Sequence, residues 1–180
     1  MFREDKTTQA ACYLLKLAKR PIKYYQMLKM LYIADRTKII ETAMPITFDK
    51  MVNMKDGPLL SQTYDLVKGT KVSETAYWSK FIKTEGQLLS LTEDPGDDEL
   101  SPLDERILKK TFEEWGHKSW SQFKRDSHAF PEWYDPGTGV AFVSYEEFLT
   151  KNNASQSLID QIKENVAVHD SNRNAGSPAR

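Results

Sequence analysis

Asp35, His128 and a hydroxyl from Ser61 or Tyr64 are the side chains in this sequence whose types could combine for acid–base or nucleophilic work. A positioned carboxylate and imidazole acting on a hydroxyl is the arrangement they would have to form. No G-x-S-x-G elbow accompanies them. The preferred reading of Asp35 is structural: an acid held by hydrogen bonds from loop amides or a ring nitrogen, fixing the register of its helix. Buried structural networks perturb acids as readily as active sites do. His117, His128 and His169 are scattered, and with the single Cys12 they offer no zinc-ligand spacing, so neither metal nor cofactor is expected. Gly137-Thr138-Gly139 follows Pro136 and lacks the lysine and helix of a phosphate-binding loop. No catalytic residue is therefore assigned.

The element that carries Asp35 organises the rest. In residues 21–43, PIKYYQMLKMLYIADRTKIIETA, Tyr24, Met27, Leu28, Leu31, Ala34 and Asp35 share one helical face, while Met30, Ile33 and Ile40 point elsewhere. A helix apolar around most of its circumference belongs at the centre of a fold. Pro21 suits its first position.

Before it, Thr7 or Thr8 is placed as the cap of a helix reaching Ala18. After it, Ile46-Thr47-Phe48 is read as extended, with a turn or short helical piece through Met54. Gly57-Pro58 is read as a turn opening a helix with Leu59, Tyr64 and Val67 that stops at Gly69. Glu74 to Leu91 fits two short strands, a hairpin at about 77–91 carrying Trp78, Phe81 and Ile82. The acidic connector from Glu93 to Glu99 is a solvated loop.

Ser101-Pro102 opens the helix with the strongest end signals, closed by Gly116. A shorter helix from Ser119 to Ser127 turns Trp120 and Phe123 inward. The loop from His128 to Gly137 is aromatic, and Ser144 and Ser155 or Ser157 open the last helical pieces. The fold class is mainly α: one compact helical domain over residues 1–169 around the central helix, with a small β-hairpin and a disordered tail at 170–180.

Composition narrows function. A net charge of −1 gives no bulk attraction to nucleic acid or anionic membrane. Cys12 cannot form an internal disulfide and sits in an apolar run, where a buried thiol is expected. No run of 18 apolar residues exists, and the first residues are too polar for a signal peptide, so a cytoplasmic protein is expected. Lys16, Lys19, Arg20, Lys23, Lys29 and Arg36 cluster in the first two helices and read as a solvated basic face.

Three motifs resemble a known family. Leu28-Lys29-Met30-Leu31-Tyr32-Ile33-Ala34-Asp35, then Pro45-Ile46-Thr47, then Gly57-Pro58 with Tyr64 beyond, are similar to the K-x-L-Y-x-A-D, P-I-T and G-P-v…Y signature of the Panacea domain, also called SocA-like or phage-associated GepA-like. The similarity extends over roughly residues 8 to 135, where His128 and Trp133 stand where the family tends to carry His and Trp. One departure is Ala43-Met44 in place of the usual Gly before P-I-T. The resemblance implies a mostly helical antitoxin of bacterial and phage toxin–antitoxin pairs, non-enzymatic, that binds its cognate protein toxin directly.

On that basis Tyr32, Asp35, Gly57, Pro58, Tyr64 and His128 form the scaffold, with Asp35 expected to take hydrogen bonds from donors near Gly57 or His128. Trp133, Tyr134, Arg20, Lys23 and Arg36 are the expected partner contacts. The toxin is expected from the adjacent gene, membrane is not a partner, nucleic acid is disfavoured, and homo-oligomerisation stays open. The alternatives are a small hydrolase using Asp35 and His128, and a nucleic-acid-binding regulator.

Overall fold

The computed structural model of the protein describes residues 2–70 and 77–175, with side chains to 171. Its elements are, in chain order, α1 (Glu4–Ala18), β1 (Ile22–Lys23), α2 (Tyr24–Thr42), β2 (Met51–Asn53), β3 (Leu59–Leu60), α3 (Ser61–Lys68), α4 (Tyr77–Phe81), β4 (Ile82–Glu85) and β5 (Leu88–Leu91). They continue with α5 (Pro102–Trp115), α6 (Trp120–Ser127), β6 (Ala141–Val143), α7 (Tyr145–Lys151) and α8 (Gln156–Ala175). The architecture is mainly α, with small β elements.

The central helix is α2. Every residue from Met27 to Asp35 is buried, as an apolar circumference requires, and α5, α1, α6 and β3 close around it. It starts at Tyr24 rather than Pro21, because Ile22 and Lys23 pair with Leu89 and Leu88 of β5 and stay extended. Its end is closed by Ala43, in the left-handed region at φ 51° with its N–H donated to the Ile39 carbonyl. Alanine here bears the steric cost of that conformation itself, at the place where the resemblance implied a glycine. Asn165 of α8 donates to the Ala43 carbonyl at 2.8 Å, so the strained corner is held from outside.

Two antiparallel three-stranded sheets flank the helices, in the orders β1-β5-β4 and β3-β2-β6. The expected hairpin is β4–β5, with Ile82 opposite Leu91. Trp78 and Phe81 lie on the short α4 instead of a strand, and the 74–76 part of that reading lies outside the described residues. The second sheet was not legible in the sequence. Ile46 and Thr47 sit in a bend, and the strand comes later, at Met51–Asn53, pairing with both Leu59–Leu60 and Ala141–Val143. Pro58 therefore precedes a strand, and α3 begins at Ser61. Gly69 does close α3, at φ 65°.

Helix ends follow the local chemistry in most places. Ser101 accepts the Asp104 N–H at 3.2 Å and its own N–H is donated to Asp104 Oδ2 at 2.9 Å, a reciprocal capping box with Pro102 at the first position. Ser119 with Gln122 repeats the device at α6, and Ser144 caps α7. At α1 the helix starts three residues before Thr7, and both threonines bond back to the carbonyls of Arg3 and Glu4 inside it rather than capping it. Trp120 faces outward at 45% exposure, opposite to expectation, while Phe123 is buried. The last helix continues to Ala175, into the stretch read as a frayed tail; residues 176–180 lie outside the described residues. Cys12 is buried, and desolvation pushes its thiol up to about 12, which leaves it an inert core group.

Candidate functional site

Asp35 is fully buried at the C-terminal half of α2. Its Oδ1 accepts the backbone N–H groups of Ile46 at 2.7 Å and Thr47 at 3.1 Å, and its Oδ2 accepts the Thr47 hydroxyl. The donors thus come from the P-I-T bend that immediately follows the helix, not from the neighbourhood of Gly57 or His128. Thr47 Oγ1 also accepts the Asp49 N–H at 3.1 Å, and Asp49 in turn accepts the Thr63 N–H and hydroxyl, both at 2.7 Å. Two acids therefore staple the 43–50 segment to α2 on one side and α3 on the other. Among the described residues no cation makes an ion pair with Asp35, and burial raises its carboxyl to about 6 against the pull of those hydrogen bonds. Among the described residues no hydrogen bond joins Asp35, His128, Ser61 and Tyr64, so the set that could have performed acid–base chemistry is not assembled.

Two further charge networks surround α2, neither of them legible in the sequence. Lys38 and Lys6 converge on Asp104, the same carboxylate that caps α5; burial works to raise its pKa, but the two ammonium groups and the Ser101 N–H hold it below the usual range. The other hub is Glu132, buried within the aromatic loop. It accepts the Tyr32 hydroxyl at 2.9 Å, the Arg36 Nε at 2.8 Å and the Asn152 amide at 2.9 Å, and Asn53 donates to its backbone carbonyl. Arg36 also lies over the Phe130 ring at 4.5 Å. A guanidinium so engaged ties α2 to the aromatic loop, with about a fifth of its side chain exposed. A lone acid between Pro131 and Trp133 was the available signal.

The third arrangement lies at the N-terminal half of α2. Lys29, read from sequence as one of a solvated basic row, is 8% exposed, and its Nζ donates to the Pro58 carbonyl at 2.8 Å. Gly57 sits beside it at φ 102°, a conformation that L side chains rarely adopt. A Cβ there would meet Lys29 Nζ at 2.6 Å and Ser127 Oγ at 2.5 Å, so the glycine lets the ammonium rest against the backbone. His128 closes the other side of this turn, its ring stacked on Trp133 at 3.6 Å. Its Nε2 is buried without a hydrogen-bond partner, and desolvation lowers its pKa, aided by Lys124 and Lys29.

Next to Lys29 opens a cavity of about 440 Å³, bounded by α2, the Asp56-Gly57 turn, α3, α6 and the Gly137-Thr138-Gly139 loop. Tyr64 lines it, with Lys68 Nζ over its ring at 5.5 Å.

Of the remaining expected contacts, Trp133 is half-buried and donates Nε1–H to the Met54 carbonyl at 3.2 Å. Tyr134 is 42% exposed, and Arg20 and Lys23 are exposed on the α1–α2 connection. No helix among the described residues is long and apolar enough to cross a membrane.

No curated protein and no solved structure matches the chain. A family model, the SocA-like antitoxin Panacea domain, matches residues 27–134. That interval begins on α2 and ends beyond His128, so it takes in the Asp35 staple, the Gly57 turn and the Glu132 hub together. With more than half of its length matched, the chain belongs to the SocA-like antitoxin, Panacea-domain family.

Proposed function

We propose that this protein is an antitoxin that neutralises a protein toxin by binding it directly, without catalysis of its own. The observation that carries the reading is the family match, because it spans Asp35 with its bend, the Gly57 turn and Glu132 rather than one short motif. The physics of the framework agrees with such a role. Affinity in protein complexes comes from anchors held ready in place, and three buried polar networks around α2 keep the backbone beneath the surface loops from rearranging. Tyr134, with Trp133 beneath it and Arg20 and Lys23 on the α1–α2 connection, supplies the partner contacts in this reading. The partner is the product of the adjacent gene, and the pair works in the cytoplasm.

Co-expression tests it. The neighbouring gene alone stops growth, the pair grows, and the two products co-elute; a harmless neighbour, or rescue without a complex, would remove the reading. Tyr134→Ala is expected to weaken the complex by about tenfold or more at unchanged melting temperature, as for an aromatic anchor.

A further inference from the structure

Lys29 is a buried ammonium with one described acceptor, a neutral carbonyl. An ammonium has three hydrogens to donate, and burial of such a charge is costly unless it is paired. Lys38, on the same helix, is paired with Asp104; among the described residues no carboxylate makes an ion pair with Lys29. Asp56, whose charge favours the protonated amine, is held by Lys124 at 2.7 Å. Lys29 also lines the cavity.

The walls of that space are aromatic: Tyr24, Tyr25, Tyr64, Trp120 and Phe123 all line it. Trp120, nearly half exposed on the outer side of α6, has a reason for its position as part of the cavity wall. The volume lies within the range of about 300–1,000 Å³ usual for small-molecule sites, and concavity formed by five chain segments encloses a ligand rather than supporting a flat contact.

We propose that this cavity binds a small aromatic carboxylic acid, its ring against the tyrosine and tryptophan walls and its carboxylate on the Lys29 ammonium. A phosphate is a poorer match, since Lys124 of the wall is already engaged by Asp56 and no arginine fork stands among the wall residues. The site is independent of the antitoxin reading. Its position beside the Gly57 turn and His128 makes the bound acid a means of stiffening the centre of the matched region.

Calorimetry on the full chain with phenylacetate, 4-hydroxyphenylacetate and indole-3-acetate, each beside its neutral primary amide, is the test. At least one acid is expected to bind about tenfold or more tightly than its amide, with the preference lost in Lys29→Met. Burial lowers Lys29 to about 7, so the preference also declines as pH rises above that value. Asp56, Lys124, Lys55 and His128 and the tyrosines of the wall surround the same amine, so its titration is followed on the 13C-methylated Lys29 signal itself; the acid raises that pKa and the amide does not.

Trp120→Ala, at an exposed position, weakens the acid several-fold while the melting curve holds, and this serves if Lys29→Met does not fold. Equal binding of acid and amide, survival of the preference in Lys29→Met, or no binding by any of the three acids overturns the proposal. Binding confined to an acetylated tripeptide ending in phenylalanine, with the free acids inert, overturns it in favour of a partner's chain terminus.

Discussion

Lys29 and Lys38 lie on one helix and are both buried, yet their charges are met differently. At the C-terminal half of α2, Lys38 meets Asp104, Lys6 joins them, and Asp35 nearby takes three donors from the following bend. At the N-terminal half, Lys29 meets one carbonyl and an open cavity. A buried network whose groups answer one another holds the fold, whereas a buried charge without an opposite partner leaves binding capacity for something outside the chain. The comparison separates the stabilising half of α2 from the half that is available for recognition, and substitutions can break it.

Asp104→Ala has the largest expected effect. It leaves two ammonium groups in the interior and undoes the capping box of α5, a loss of about 3–5 kcal/mol measured by urea denaturation. Asp35→Ala orphans two N–H groups and a hydroxyl and is expected to cost about 3 kcal/mol; an unchanged melting temperature would show that the staple carries no stability. Thr47→Val keeps the shape and removes the hydroxyl that donates to Asp35 and accepts the Asp49 N–H, for about 1–2 kcal/mol.

Lys29→Met should be smallest, within about 1 kcal/mol in either direction, because an ill-matched buried charge is exchanged for an apolar chain of similar length. A loss as large as that of Asp104→Ala would abolish the distinction between the two halves.

Titration sharpens the same contrast. The folded-state pKa of Asp35 lies at about 6, above its unfolded value, so its contribution is complete below about pH 4 and is lost as pH rises through 6. Lys29 has a folded-state pKa of about 7, below its unfolded value, so its contribution is present in alkali and is lost as pH falls through 7. In stability measured against pH, Asp35→Asn should therefore remove the component lost between about pH 4 and 6, and Lys29→Met the component gained above about pH 7.

What could be read in the sequence was local. The Ser101–Asp104 box lies within four residues, and the burial of Asp35 follows from its place in an apolar stripe. The identity of its donors did not follow, since a bend eleven residues on and a turn twenty-two residues on were equally able to supply amides. The second sheet was hidden for a related reason: strands of two or three residues have no periodicity to detect, and β2 and β6 come from distant parts of the chain. Lys29 was misjudged because a lysine among lysines looks solvated until the opposing turn is known, and that turn can approach only because residue 57 has no side chain. The bond from Arg36 to Glu132 was hidden for the same reason, its acceptor lying in a loop whose path no pattern announces.

The placement of β2 between β3 and β6 has a consequence during synthesis. When the ribosome has made α2, the bend and β3, Met51–Asn53 has one paired edge and one bare edge, and it stays so until Val143 emerges. Until then an incomplete chain presents an unpaired strand edge to other nascent chains, to chaperones and to proteases through the whole stretch of synthesis between Leu60 and Ala141.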